Sequence, residues 1–289
     1  MRIFATITLP LIWCLSSCSP IREIEAATHR NTSTASVARE TEARLDVNSP
    51  AVDDQVPAKP APRQPGFAPV VTRTEFAGIS FEGVAFSSNS HRLAVVDQPG
   101  GPGSKFADAR SAAASIDGLA AANAGFFTPE GAPLGKVISG GKHAGAWNRA
   151  SSLGAGAFFE NPTGDLAIAR REKIPGSGQR ELLQAGPILI ENRRTVTGLN
   201  AEKPAIRVFL LWDGGSRWWL GRSSLCTLAE LGSALGKASP AGWTHLHALN
   251  LDGGRSADLW ISGNISGGPL NFRSLFNRPV RNFLVLVPR

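Results

Sequence analysis

From Thr74 to the C-terminus the chain is cut into short apolar runs rich in Phe, Val, Ile and Leu, each closed by Gly, Pro, Asn, Asp or Ser. Runs of that length and punctuation read as strands. Thr74 to Ser87 and His91 to Asp97 form two of them, separated by a Ser-Ser-Asn-Ser turn. Ala155–Glu160 and Asp165–Arg170 pair around Asn161-Pro162-Thr163-Gly164, and Val208–Trp212 pairs with Arg217–Gly221 across Asp213-Gly214-Gly215-Ser216. Val137 to Lys142 reads as a strand and turn, and Val280–Val287 as a last strand long enough to close a sheet. Leu182–Ile190 is broken by Gly186-Pro187, and Pro187 argues against a central sheet position for its second half. Two helices are predicted: an Ala-rich one from Phe106 to Ala122, with Asp117-Gly118 inside it, and one opened by the capping box Thr227-Leu228-Ala229-Glu230 and ending near Lys237.

One run stands apart for its chemistry. Leu249-Asn250-Leu251-Asp252 ends abruptly in Gly253-Gly254-Arg255-Ser256. Alternation puts Asn250 and Asp252 on one face and His245 and His247 on the other. Gly253 and Gly254 are able to take positive φ and to bring backbone N–H groups close to a ligand, while Arg255 and Ser256 add a cation and a hydroxyl. An Asp-Gly pair is also an ordinary hairpin signal, which is the simplest reading of Asp213-Gly214. Ala121–Phe127 reads as a short apolar strand, and Asn123, its one polar residue, is either a backbone clamp or a ligand group, because a buried amide is costly unless fully used. Gln184 repeats that logic. His245-x-His247 has the look of a metal pair, but its face opposes Asp252, so a core or surface role is expected and no metal site is assigned. Cys226 has no neighbouring motif that would make it a nucleophile and reads as structural.

The N-terminus is of another kind. Arg2 and the apolar run Ile3–Trp13 lead to Leu15-Ser16-Ser17-Cys18, which resembles a bacterial lipobox, so residues 1–18 are expected to be a signal peptide ending at a lipidated Cys18. Residues 19–66 are polar and end Pro-rich, too poor in apolar surface to fold, and read as a tether with a reach of roughly 40 Å. The folded domain spans 67–289. With Cys14 removed and Cys18 acylated, Cys226 is left alone and no intramolecular disulfide is possible. The predicted location is the cell envelope, anchored to the periplasmic face of the outer membrane. The charge of +7 carries no Lys/Arg block and no nucleic-acid motif, so it suits an anionic ligand better than DNA.

Four motifs carry a resemblance: Asn-Ala-Gly-Phe-Phe (Asn123–Phe127), Leu-Gly with its following strand and Gly-Lys turn (Leu134–Lys142), Gln-Ala-Gly-Pro-Ile-Leu-Ile (Gln184–Ile190) and Leu-Asn-Leu-Asp-Gly-Gly-Arg-Ser (Leu249–Ser256). In this order they resemble phosphodiester glycosidase domains. The resemblance implies a mixed α+β fold, a mainly antiparallel sheet core with a few flanking helices in a single domain, and cleavage of a sugar-1-phosphodiester at the sugar carbon. It departs from the family where an Arg-Thr pair often follows the Gln-Gly-Pro strand: here stand Lys203-Pro204-Ala205-Ile206-Arg207.

A phosphate ester leaves far more readily than an alkoxide, so one carboxylate with cationic or N–H donors on the phosphate suffices where ordinary glycosidases use two. On this reading Asp252 is nucleophile or general base, Arg255, Gly253 and Gly254 hold phosphate, and Asn123 and Gln184 hold sugar hydroxyls. Gly125, Asn250 and Ser256 complete the substrate site, and Arg207 is a second phosphate candidate. Trp147 and Trp260 are possible sugar platforms, though core packing is the commoner role. Asp97, Glu82 and Asp213 are candidates for a second carboxylate. No cofactor is implied, a divalent cation is left open, and a monomer is expected. The alternative is a non-catalytic glycan-binding lipoprotein on the same fold.

Overall fold

The computed structural model describes residues 66–289. The expected signal peptide with Cys18, and the expected tether as far as residue 65, lie outside the described residues. Among the described residues seventeen strands fall into three sheets, and every ladder between them is antiparallel. In chain order they are β1 (Val70–Phe76), β2 (Ile79–Ser87), β3 (His91–Asp97), β4 (Ala120–Asn123), β5 (Val137–Ser139), β6 (Lys142–Ala144), β7 (Gly156–Glu160), β8 (Leu166–Arg170) and β9 (Glu181–Ala185). Then follow β10 (Ile188–Glu191), β11 (Arg194–Thr195), β12 (Ala205–Trp212), β13 (Arg217–Cys226), β14 (His247–Asn250), β15 (Asp258–Ile261), β16 (Leu270–Arg273) and β17 (Asn282–Pro288). The largest sheet runs β1-β2-β13-β12-β14-β10-β11, the second β16-β15-β4-β17-β3 and the third β6-β5-β9-β7-β8. The two α-helices of the described residues are α1 (Ala109–Ala114) and α2 (Leu228–Lys237).

The inner faces of all three sheets meet in one core. Phe86, Leu210 and Trp218 come from the first sheet, Ala122, Leu259 and Leu284 from the second, and Phe158, Ile168 and Leu183 from the third. α2 covers the outer face of the first sheet through Leu231 and Leu235 against Phe209 and Leu211. α1 covers the outer face of the second through Ala109, Ala112 and Ala113 against Phe283 and Val285. Strands covered on both sides are apolar at nearly every position, which is why β12 and β17 read as continuous apolar runs. No described helix is long and apolar enough to cross a membrane.

Several expectations hold and others need correction. The hairpins β7–β8 and β12–β13 form as expected, and the Thr227 capping box opens α2 with both reciprocal bonds present. The single strand Thr74–Ser87 is in fact part of a hairpin: Ala77 (φ 52°) and Gly78 (φ 71°) turn the chain between β1 and β2. The long Ala-rich helix is also shorter than predicted. α1 ends at Ala114, Asp117 turns left-handed (φ 53°), and Ala120–Asn123 continues as β4. Gly118 lies so close to β17 that a Cβ there would sit 2.3 Å from Val285 Cγ1. β10 lies inside its sheet between β14 and β11, because Pro187 stays outside the strand. β17, expected to close a sheet, lies within one between β4 and β3.

Candidate active site

β14 stops at Asn250, and the chain then crosses from the first sheet to the second. The Leu251 N–H donates to the Val208 carbonyl (2.8 Å) on β12, and the Asp252 N–H donates to the Ala124 carbonyl (2.8 Å), just past β4. Asn123, fully buried at the end of β4, fixes both ends of this crossing. Its Nδ2 donates to the Asp252 carbonyl (2.7 Å), and its Oδ1 accepts the Asp258 N–H (3.0 Å) at the start of β15. The next turn of the Asn-Ala-Gly-Phe-Phe motif is tied to β17, where Asn282 Oδ1 accepts the Gly125 N–H (2.7 Å). A Cβ at Gly125 would stand 3.1 Å from Leu183 and 3.2 Å from Asn282 Oδ1.

The two glycines after Asp252 work differently from each other. Gly254 takes φ 58° and opens a 3-10 turn over Gly254–Ser256. Gly253, expected to share that freedom, has φ −143°; it is needed because a Cβ would lie 2.5 Å from the Ile206 carbonyl. β12 has a register shift between Ile206 and Val208 at this point.

Asp252 is only 6% exposed. Oδ1 accepts the Gly253 N–H (2.9 Å), while Oδ2 completes no hydrogen bond. Burial raises the carboxyl above its ordinary range, opposed by the Ser256 hydroxyl, the Arg278 charge and the Gly253 N–H, in that order. Arg278 donates from Nε to Ser256 Oγ (3.2 Å), and its guanidinium lies 4.9 Å from the centre of the Phe127 ring. An exposed arginine, a buried hydroxyl and a half-free carboxylate thus adjoin where the second sheet meets the end of β14. Such a site can exchange a proton or attack an electrophilic carbon while a cation receives negative charge.

The other expected ligands are occupied elsewhere. Gln184, 2% exposed, uses every valence on backbone: Oε1 accepts from Lys136 N and Asn148 N (2.9 Å each), and Nε2 donates to the Asn148 and Gly154 carbonyls (2.8 Å each). Asn250, equally buried, donates from Nδ2 to the Gly186 and Leu251 carbonyls (2.9 Å each), while its Oδ1 has no partner. Asn123, Gln184 and Asn250 are therefore backbone clamps in this structure. Arg255 is exposed and turns its Nε to the Phe276 carbonyl (3.2 Å), holding the loop that carries Arg278. Arg207 spends its guanidinium on the Cys226 carbonyl (3.1 Å) and the Lys203 carbonyl, and burial lowers its pKa.

The three candidate second carboxylates are all ion-paired. Asp97 takes Arg281 through both oxygens (2.9 and 3.0 Å), Glu82 pairs with Arg222, and Asp213 pairs with Arg217 (2.8 Å). Asp258 carries the surprise: 2% exposed, with Oδ2 accepting the Ala109 N–H (3.0 Å) and Oδ1 unpartnered, it is pushed up to about 6 by burial.

Sequence reasoning missed Asp258, although it stands two residues beyond the Leu249–Ser256 motif, because an acid opening an apolar strand reads as a turn residue. It missed Arg278 too, whose sole signal is a cation beside Pro279 just ahead of β17. Trp147 packs on the outer face of the third sheet with Lys136 Nζ 5.2 Å from its ring, and Trp260 packs among the residues under α1. His245 is buried and lowered to about 4 by desolvation; His247 stacks on Trp212 (5.6 Å). Among the described residues no cluster of three His, Cys, Asp or Glu side chains suits a metal. Cys226 is buried, and desolvation raises its thiol.

Antiparallel sheets around a single core, with a buried aspartate at a Gly-Gly strand end, define a mainly β domain whose family is shown by sequence. Residues 117–287 match the phosphodiester glycosidase family, and the chain belongs to it. The fold is shared with the catalytic domain of zebrafish N-acetylglucosamine-1-phosphodiester α-N-acetylglucosaminidase, in a form auto-inhibited by its pro-peptide. That likeness has a TM-score of 0.54 at 18% identity, covering 76% of this chain and 82% of that one. A hypothetical protein from Synechocystis is similar at a TM-score of 0.56 and 17% identity over 76% of this chain; the match spans 61% of the Synechocystis chain. No curated protein matches the chain by sequence.

Proposed function

We propose that this protein is a hydrolase that cleaves a glycosyl-1-phosphodiester in glycans of the cell envelope, held there by a lipid on Cys18. The observation that carries the reading is the Asp252 carboxylate, buried and completed on one oxygen only, beside Ser256 and Arg278. Asp252 acts on the sugar carbon or on the attacking water. Arg278, which joins the phosphate candidates named from sequence, meets the charge that builds on the departing phosphate. The Gly253 N–H, spent on Asp252 Oδ1, orients the carboxylate, and Arg255 sets the loop. Asn123 is a positioning residue, since its amide fixes the Asp252 backbone.

The family supports hydrolysis of a phosphodiester-linked sugar, and the zebrafish enzyme's own name suggests α-N-acetylglucosamine as the first sugar to try. The test is release of free sugar by the purified full-length chain from a panel of sugar-1-phospho-esters. Turnover is expected for at least one, with Arg278→Ala lowering kcat. A folded protein that releases sugar from none of them would leave glycan binding without catalysis as the better account.

A further inference from the structure

A second feature lies away from Asp252. Two adjoining clefts, of about 560 and 450 Å³, share Asp97, Lys105, Ser139 and Gly140 and run along the outer edge of β3 between the end of α1 and the β5–β6 hairpin. None of the groups that touch Asp252 lines either cleft. The edge of β3 is closed to strand addition at its middle, because Glu181 Oε2 accepts the Val95 N–H (3.0 Å) and the Ser139 hydroxyl donates to the Val95 carbonyl (2.6 Å). An extended peptide is thereby refused. A groove with polar walls remains.

Its charges are unequal. The acids inside are mostly satisfied: Asp97 by Arg281, and Glu181 by two backbone N–H groups with Arg92 at 3.7 Å. Three exposed cations have no carboxylate partner among the described residues. They are Lys105 on the loop after β3, Lys142 on the β5–β6 hairpin and Arg180 before β9. Asp117 is the one acid in the groove without such pairing. Cations brought to one groove from three separate elements suit a ligand with repeated negative charge. Between them the floor is apolar, with Ala94 and Val96 on β3 and an exposed Ile116. Phe106, the aromatic of the floor, is buried, which leaves the exposed imidazole of His143 on the β5–β6 hairpin as the open ring of the groove. The C–H faces of sugar rings match such a floor.

We propose that this groove is a second glycan site, which takes a phosphate-bearing polysaccharide chain and so makes the protein's substrate a polymer in place of a single sugar ester. That substrate assignment rests on the proposed hydrolase function, whereas binding in the groove does not. The test compares the full-length wild type with the variant Lys105→Glu/Lys142→Glu/Arg180→Glu and with the charge-keeping Lys105→Arg/Lys142→Arg/Arg180→Lys. Calorimetry measures binding of a short oligomer joined by sugar-1-phosphodiester bonds, of the neutral oligosaccharide of the same sugar, and of inorganic polyphosphate. The charge-reversed protein is expected to melt as wild type does and to bind the phosphorylated oligomer roughly thirtyfold more weakly. The charge-keeping variant retains affinity, and sugar release from a monomeric ester is the same in all three.

Equal affinity of wild type and charge-reversed protein for the oligomer would overturn the proposal, as would polyphosphate binding as tightly as the phosphorylated glycan. Absence of sugar release from the monomeric ester would count against the hydrolase reading alone, while the oligomer affinities would still decide the groove.

Discussion

With one donor on the Asp252 carbonyl and its acceptor on the Asp258 N–H, Asn123 ties two acids to the end of a single strand. Its replacement by Ala strands two buried backbone groups, each at a cost of roughly 1–3 kcal/mol, so Asn123→Ala should lose about 2–5 kcal/mol in a urea titration. Asp258 gives a pH signature. Its folded pKa of about 6 lies above the ordinary value of 3.8, so the folded state holds its proton more tightly than the unfolded one. Its contribution to stability is complete below about pH 4 and is lost as pH rises to about 6, a change of roughly 3 kcal/mol. Asp258→Asn keeps an acceptor for the Ala109 N–H and cannot ionise. Stability curves from pH 4 to 7 should therefore show the wild type falling relative to the variant; parallel curves would contradict the buried, titrating acid. The amides also mark the limit of what was legible in the sequence. That Asn123 and Gln184 are special follows from polar groups set in apolar strands. That both are clamps is visible only once the backbone groups around them are in place.

At the scale of elements, hairpins and the capped helix were legible because their turn and cap signals are local. The errors share a cause. A run of small apolar residues has no period of its own, so the reading of Phe106–Ala122 carries the helix α1 too far and leaves to the strand read at Ala121–Phe127 a start one residue late and an end four residues late against β4. Ala77-Gly78 was overlooked because alanine is an unusual residue at positive φ. The Asp252 turn yields a test of close approach. Gly253→Ala would place a Cβ 2.5 Å from the Ile206 carbonyl, so either β12 or the turn must shift. A loss of about 1–3 kcal/mol is expected, together with a fall in kcat larger than the loss of stability explains. Unchanged melting and turnover would mean that the turn yields freely.

For the whole molecule, three sheets share one core, and the segment from Asp252 to Asp258 bridges the first to the second. That arrangement was not legible in advance, since strand order depends on pairings between distant residues such as β4 with β15 and β17. The anchor proposed for the N-terminus is tested separately. Cys18→Ser should move the protein from the membrane fraction to the soluble fraction of the envelope on fractionation, with the activity of the domain unchanged.

The most direct test of the central claim sets Asp252→Asn beside wild type on the same sugar-1-phospho-ester, with sugar release and ligand binding measured together. Asparagine keeps an acceptor for the Gly253 N–H and removes a charge that burial already disfavours, so the fold should persist and melt no lower than wild type. The account predicts turnover reduced by at least about a thousandfold with binding within a few-fold of wild type. Turnover that survives in Asp252→Asn would place the chemistry on another residue and contradict it.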